Sequence, residues 1–192
     1  NQYDPSHYDW HFRYARLLDR HAQTVEDYNH HAHLAVEAYS ATIKLKRYAP
    51  AYFYRGLIMR RYRQIADTLY LSSEVAADFK TVVEIEPKNA DAHYFLGLTY
   101  LDMDNRDSAR QYFVKTLKLK SNYVGANLEI GLIEEWLQNY KVAIQFYEEE
   151  LSIHPDSVRS LQRLGDLYRS SAMDFGKAKR MLEKAIKLDP NH

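Results

Sequence analysis

The chain has 192 residues, which is long enough for one substantial core or for an array of small units that share their cores. Its hydrophobic share of 46% and charged share of 27% exclude an intrinsically disordered protein. The 26 basic and 26 acidic side chains balance, so no field of the whole protein attracts nucleic acid or an anionic membrane. The absence of cysteine excludes disulfides, thiolate catalysis and cysteine-type zinc sites.

The sequence predicts a soluble chain, because no window approaches the roughly 18 uninterrupted apolar residues of a membrane span. No signal sequence opens the chain. Since it begins with Asn1 rather than methionine, we expect a processed protein or a fragment, and both a cytoplasmic and an exported location stay open.

The elements are expected to be long and helical, because only six glycines and five prolines are available for turns. A first helix is predicted to begin at Asp4-Pro5, a cap followed by a first-turn proline, and a second at Thr24-Val25. Further along the chain, Pro87, Pro155 and Pro190 fall where one helix pair ends and the next begins.

An internal repeat is the clearest signal in the sequence. Gly97, Gly131 and Gly165 follow one another at equal intervals, and the same interval separates Phe113 from Tyr147. Apolar residues between these landmarks recur at helical spacing. Each unit is therefore predicted to be a pair of helices.

Two further units precede these, because Ala15, Gly56 and Gly97 are also equally spaced, at an interval that is longer by seven residues. The additional residues of each unit correspond to about two helical turns. We predict that they lengthen the helices by about one turn each rather than forming loops. Arg55 stands where a bulky apolar residue is expected and Ala15 where a glycine is expected, so these two units depart from the pattern.

The pattern resembles the tetratricopeptide repeat family, whose unit of about 34 residues carries Leu-Gly, Tyr, Ala, an aromatic residue and Pro in that order. Leu96-Gly97, Tyr100, Ala109 and Phe113 match it, whereas Glu134 stands where the next unit should have its tyrosine. The resemblance implies an all-α fold, an α–α superhelix forming a right-handed solenoid of about five helix-turn-helix repeats in a single domain. The expected repeats span about 5–47, 48–87, 88–121, 122–155 and 156–190.

The resemblance also implies a binding groove, because the first helices of such repeats line a concave surface. The apolar groove residues are expected to be Phe53, Tyr54, Leu57, Tyr94, Phe95, Leu98, Leu101, Leu128, Leu132 and Trp136. The basic groove ends are expected to be Arg13, Arg16, Arg60, Arg61, Arg159 and Arg163. We expect a peptide or partner protein with bulky apolar side chains and acidic flanks. Alternatively, these residues pack against adjacent repeats or a terminal extension.

The expected function is that of a non-catalytic protein–protein interaction module, a scaffold or assembly factor that needs no cofactor. The alternatives are a self-associating structural scaffold and a helical accessory domain of an enzyme. No glycine-rich loop is available to cradle a phosphate, because the landmark glycines are expected where paired helices pack closely. Pro190 has the form of a junction, so we expect the natural chain to continue or this end to be covered by another copy.

Two clusters suggest other ligands. The first is a histidine group around His30, His31 and His33; we predict a polar surface without metal, because no paired-ligand spacing is present. The second is Arg60-Arg61-Tyr62-Arg63, whose arginines point around a helix rather than along one stripe, which disfavours nucleic acid.

Overall fold

The structure is a computed structural model that describes residues 7–21, 25–62, 64–65, 68–69, 71–171 and 173–190. The chain divides into two compact units, Asn1–Asn105 and Arg106–His192. Each unit contains one of the two tryptophans, Trp10 and Trp136. The all-α class predicted from the sequence is confirmed, since the strands among the described residues comprise only two residues each.

The described residues of the first unit form five helices and one short pair of strands. In chain order these are α1 (Tyr8–His21), α2 (Val25–Leu45), α3 (Ala49–Arg61), β1 (Gln64–Ile65), β2 (Thr68–Leu69), α4 (Ser72–Ile85) and α5 (Ala90–Asp102). Each helix packs against the next one along the chain. The strands β1 and β2 are antiparallel, with Gln64 opposite Leu69.

In the second unit, the residues that the structure describes also form five helices. They are α6 (Arg106–Leu119), α7 (Ala126–Trp136), α8 (Tyr140–Ile153), α9 (Val158–Ser170) and α10 (Phe175–Leu188). Each again packs against the next helix. Polar side chains open several helices in the chain: Asn89 accepts a hydrogen bond from the Ala92 amide, and Asp174 accepts one from the Lys177 amide.

Three of the landmark glycines lie where paired helices pack closely. A Cβ at Gly131 would lie 2.5 Å from a ring carbon of Tyr147, and one at Gly56 would lie 3.1 Å from the Phe79 ring. At Gly165 the nearest atom is Cγ of Leu182, 2.7 Å away. The predicted role of these three glycines is therefore confirmed.

The prediction that the additional residues form helix rather than loop is right for the first hairpin, although they do not add one turn to each helix, and it is wrong for the second. Helix α2 has 21 residues, whereas α1 has 14, so the additional turns lie in one helix. Helices α3 and α4 have 13 and 14 residues, and the additional residues of this hairpin lie in the connection that contains β1 and β2. The backbone of Tyr62 leaves the helical region and ends α3. Ile65 and Thr68 then favour extended backbone because they are β-branched.

The two predicted helix starts have different outcomes. Helix α2 begins at Val25, directly after Thr24, but Thr24 and Asp4-Pro5 themselves lie outside the described residues. Arg63 of the arginine run also lies outside them.

A buried ion pair accounts for the unexpected arginine before Gly56. Arg55 Nη2 lies 2.6 Å from Asp78 Oδ1, and Arg55 Nε donates to Asp78 Oδ2 at 2.8 Å. Arg55 also donates to the Ser40 hydroxyl at 2.9 Å. Burial raises the pKa of the Asp78 carboxyl, and the hydrogen bonds from Arg55 oppose this rise. The guanidinium thus replaces an apolar contact with a bidentate polar one.

Candidate partner-binding face

The first helices of the repeats lie side by side in the first unit. The Arg16 guanidinium of α1 lies 3.8 Å from the Tyr54 ring centroid of α3. Between α3 and α5, Arg60 Nε lies 3.1 Å from Asp102 Oδ2. We call the surface of α1, α3 and α5 around these contacts the first-helix face of this unit.

Half-buried apolar side chains follow this face. Tyr94, Leu98 and Leu101 recur at spacings of four and three residues, so they line one side of α5. On α3, Tyr54 and Leu57 are half-buried as well. The predicted groove residues on these two helices therefore include a continuous series of partly accessible apolar side chains.

Two predicted groove residues of this unit contact the core instead. The rings of Phe53 and Phe95 each lie 5.8 Å, centroid to centroid, from the fully buried ring of Phe79. They also lie 5.8 Å from each other. Their aromatic contacts join α3, α4 and α5.

The predicted groove residues of α7, in the second unit, differ sharply in exposure. Leu128 is only 8% exposed and belongs to a core cluster with Tyr147 and Leu164, against which the half-buried Leu132 packs. Trp136 is 61% exposed, and the Arg106 guanidinium lies 4.1 Å from its ring centroid. Of these three residues, Trp136 offers the most surface to a partner.

Most of the predicted basic residues contact acidic residues of the chain itself. In the second unit, Arg159 lies 3.4 Å from Glu129, and Arg163 lies 3.4 Å from Glu135. These pairs join α9 to α7 as Arg60 and Asp102 join α3 to α5.

The remaining predicted arginines lie on single helices. Arg13 pairs with Asp9 at 2.8 Å within α1, and Arg61 is exposed at the end of α3. Pairs of this accessible kind stabilise a fold by about 0–1 kcal/mol each. Acidic flanks of a partner would therefore have to compete with carboxylates that the chain already supplies.

Those carboxylates are the residues of this surface that the sequence did not predict. Glu135 is held in place by the Tyr147 hydroxyl, which donates to it at 2.7 Å, and it also meets Arg163. Burial, followed by this hydrogen bond, raises the pKa of Tyr147. Glu129 lies two residues before Gly131 and Glu135 four residues after it, so their place on a first helix was the available signal.

The histidines do not form a metal centre with other ligands in the described part of the chain, where no three His, Asp or Glu side chains are grouped to hold an ion. The His30 and His31 rings meet edge to face at 5.9 Å, and His33 Nε2 lies 3.5 Å from Glu37 Oε1.

The comparison with known protein families agrees with the observed helix pairs and with the glycines at which these helices pack closely. The profile of the tetratricopeptide repeat matches residues 90–123 and 158–192. The resemblance to the tetratricopeptide repeat family that the sequence suggested is thus confirmed over these two segments. None of the helices in the described ranges is both long and apolar enough to cross a bilayer.

Solved structures of repeat proteins share the fold over almost the whole chain. PilF of Pseudomonas aeruginosa has a TM-score of 0.79 at 21% identity, covering 98% of this chain and 79% of that one. MamA of Desulfovibrio magneticus has a TM-score of 0.77 at 14% identity, covering 100% and 99%. YrrB, described as a TPR protein with an unusual peptide-binding site, has a TM-score of 0.73 at 19% identity, covering 98% and 90%. The predicted fold class, a superhelix of helix-turn-helix repeats, is confirmed by these likenesses.

Similar repeats occur within much longer proteins. Protein O-mannosyl-transferase Tmtc3 of Drosophila melanogaster is 25% identical over 111 residues, which cover 58% of this chain and 12% of that protein. Superkiller complex protein 3 of Homo sapiens is 26% identical over 120 residues, which cover 59% of this chain and 8% of that protein. The chain thus spans about a tenth of the length of these relatives.

Proposed function

We propose that the chain is a non-catalytic interaction module that binds a segment of a partner protein along its first-helix face and so acts as a scaffold or assembly factor. Its repeat family supplies the general role, since repeats of this kind present extended surfaces to protein partners. The fold alone does not identify the partner.

The observation that carries this proposal is the apolar series on α5. Tyr94, Leu98 and Leu101 are half-buried at one side of a first helix, next to Tyr54 and Leu57 of α3. Aromatic and aliphatic side chains that keep part of their surface accessible can gain further burial when a partner binds. The series therefore supports an apolar segment as the main recognition element.

The charges beside this series modify the partner expected from the sequence. Because Arg60 already contacts Asp102, and Arg16 already lies over Tyr54, the basic side chains bind within the face. We therefore propose that apolar contacts supply most of the affinity, and that acidic flanks of the partner contribute through the more exposed Arg13 and Arg61.

The test begins with a partner that is identified by cross-linking and mass spectrometry and then purified. We expect the triple variant Tyr94→Gln, Leu98→Gln, Leu101→Gln to bind it at least about tenfold more weakly, because hot-spot side chains each contribute upwards of about 1 kcal/mol. Affinity is measured by isothermal titration calorimetry, and helicity by circular dichroism.

The matched control replaces exposed leucines on second helices, Leu45→Gln and Leu119→Gln. It should retain the affinity of the original chain. If the triple variant and the original chain bound the partner with equal affinity, the first-helix face would not be the binding site. If the particle size of the chain alone increased with its concentration, the result would instead favour a self-associating scaffold.

A further inference from the structure

The connection between α7 and α8 exposes the densest group of bulky apolar side chains within a short stretch of the described chain. Trp136, Leu137, Tyr140 and Val142 are exposed by 61%, 44%, 39% and 36%. Bulky apolar side chains that are exposed close together in the chain cost solubility and often mark interaction sites on soluble proteins. We call Leu137, Tyr140 and Val142 the turn surface; Trp136 adjoins it.

The geometry of the turn does not require these side chains. The connection between α5 and α6, one repeat period earlier, also places a non-glycine residue in the left-handed region, with φ 58° at Asp104 and φ 62° at Gln138. In both turns the backbone amide of an asparagine donates to a carbonyl of the preceding helix at 2.8 Å, from Asn105 to Tyr100 and from Asn139 to Glu134. The two connections therefore share a backbone conformation.

Their side chains differ in character. The positions that hold Trp136, Tyr140 and Val142 hold a carboxylate, a guanidinium and a hydroxyl one period earlier, namely Asp102, Arg106 and Ser108. Position 137 is apolar in both turns, since Met103 precedes Leu137 by one period. At the other three positions polar residues serve the same backbone, so Trp136, Tyr140 and Val142 are not required by the conformation of the turn.

A cavity adjoins the turn surface. Its volume is about 480 Å³, and Tyr140, Val142 and Ile144 supply its apolar lining while Ser171 contributes from the end of α9. This volume lies within the range of sites that hold small ligands or single large side chains. Lys141 is the one charged residue among the seven described residues that line it. The cavity therefore favours an apolar group that carries a negative charge at its edge.

Partly buried hydrogen bonds link α7 to the turn and to α6. The Glu134 carboxylate accepts from Arg110 Nε at 2.6 Å and from Asn139 Nδ2 at 2.9 Å. Burial opposes ionisation here, but the hydrogen bonds from Asn139 and Arg110 hold the pKa of Glu134 below its usual value. Glu134 stands where the repeat pattern has tyrosine, so these two hydrogen bonds add to the backbone conformation that both turns share. A surface fixed in advance loses less conformational entropy when it binds.

We propose that the turn surface is a second protein-binding site, which takes a partner segment with one bulky apolar side chain in the cavity and a neighbouring carboxylate beside Lys141. It is distinct from the first-helix face, because none of Leu137, Tyr140 and Val142 belongs to that face. The two proposals can therefore fail separately.

The first experiment uses indole-3-propionate, a ring with a carboxylate, as the probe in a heteronuclear NMR titration of the intact chain. We expect shifts concentrated at the amides of residues 138–144 and Ser171, and weaker binding of the uncharged indole-3-propanol. Lys141→Glu should remove the difference between the two probes, and Lys118→Glu should leave it unchanged. Shifts centred elsewhere, no shifts, or equal binding of both probes would overturn the proposal.

The second experiment selects peptides from a displayed random library on the intact chain. We expect enrichment of segments that place an acidic residue next to a bulky apolar one. Their affinity should fall by about tenfold or more in Val142→Ser and remain unchanged in Val124→Ser, an exposed valine of the same unit. Tyr94→Gln should also leave it unchanged. Peptides that lose affinity in Tyr94→Gln but not in Val142→Ser would contradict a separate site.

A final measurement separates a peptide site from a lipid site, since exposed tryptophan and tyrosine also occur at membrane interfaces. We expect no flotation with vesicles of phosphatidylcholine, or of phosphatidylcholine with phosphatidylglycerol. Flotation that Val142→Ser abolishes would assign the turn surface to lipid and overturn the proposal.

Discussion

Arg55 and Asp78 form the most consequential polar contact at the scale of single residues. The Asp78 side chain is only 4% exposed and both of its oxygens accept from the guanidinium. Removing one member of such a pair leaves the other buried without a partner. We expect Arg55→Met to lower the free energy of unfolding by about 3–5 kcal/mol, measured by urea denaturation.

An exposed pair provides the control for this prediction. Arg47 and Glu84 also contact each other, but their side chains are 60% and 64% exposed. Arg47→Met should therefore cost at most about 1 kcal/mol. The double variant Arg55→Met, Asp78→Leu should recover much of the stability that Arg55→Met loses. Equal losses at Arg55 and Arg47 would show that burial of the first pair is unimportant.

The sequence predicts residue types at the candidate site better than it predicts their contacts. The groove arginines were predicted as basic ends, but Arg159 meets Glu129, a residue 30 positions away whose direction depends on how α7 packs. Leu128 and Leu132 could not be separated either, because α7 has apolar residues on several sides and Leu128 proves to be part of the core. Periodicity assigns a residue to a helix, but packing between helices decides which side is covered.

Close packing of helix pairs gives a prediction at the scale of elements. An alanine normally stabilises a helix relative to glycine by up to about 1 kcal/mol. At Gly131 in α7, however, the new Cβ would lie 2.5 Å from the Tyr147 ring in α8. We expect Gly131→Ala to destabilise the chain by about 1–3 kcal/mol, because overpacking forces the helices apart. The melting temperature measures the change.

Gly176 of α10 is the matched position without a close neighbour. The nearest atom to a Cβ there is Asp174 Oδ1, at 3.6 Å. Gly176→Ala should therefore be neutral or slightly stabilising. A similar loss of stability in both alanine variants would mean that the contact with Tyr147 does not account for the loss at Gly131.

Most of the helices could be predicted from the sequence, because a constant repeat period determines both the helix pairs and their close contacts. The location of the additional residues between α3 and α4 could not be predicted, because a length difference is equally compatible with longer helices and with a longer connection. The segment between Tyr62 and Leu71 contains neither glycine nor proline, so no breaker residue marked the end of α3. In the first hairpin the same additional length extends α2.

Charge balance gives a prediction at the scale of the whole molecule. The 26 basic and 26 acidic side chains cancel, and several arginines are held by acids of neighbouring helices. We expect no binding to duplex DNA at an ionic strength of about 0.15 M, because the acidic side chains offset the attraction of the basic ones for phosphates. Fluorescence anisotropy with a labelled duplex measures this.

Releasing the arginines should change that result. The variant Asp102→Asn, Glu129→Gln, Glu135→Gln removes the acids that hold Arg60, Arg159 and Arg163, and we expect it to gain measurable, salt-sensitive affinity for the duplex. The control Asp107→Asn, Glu149→Gln, Glu183→Gln changes the net charge equally on second helices and should gain less. Binding by the original chain, or equal gains in both variants, would contradict this account.

The two tryptophans give each unit its own optical signal. Trp10 lies in the first unit and Trp136 in the second, and both are partly exposed to solvent. Trp10→Phe leaves a chain whose intrinsic tryptophan fluorescence arises from the second unit alone, and Trp136→Phe leaves the complementary chain. Denaturation curves of the two variants, each compared with circular dichroism, report whether the halves melt together or in turn. The chain thus carries a ready-made pair of reporters for its own folding cooperativity.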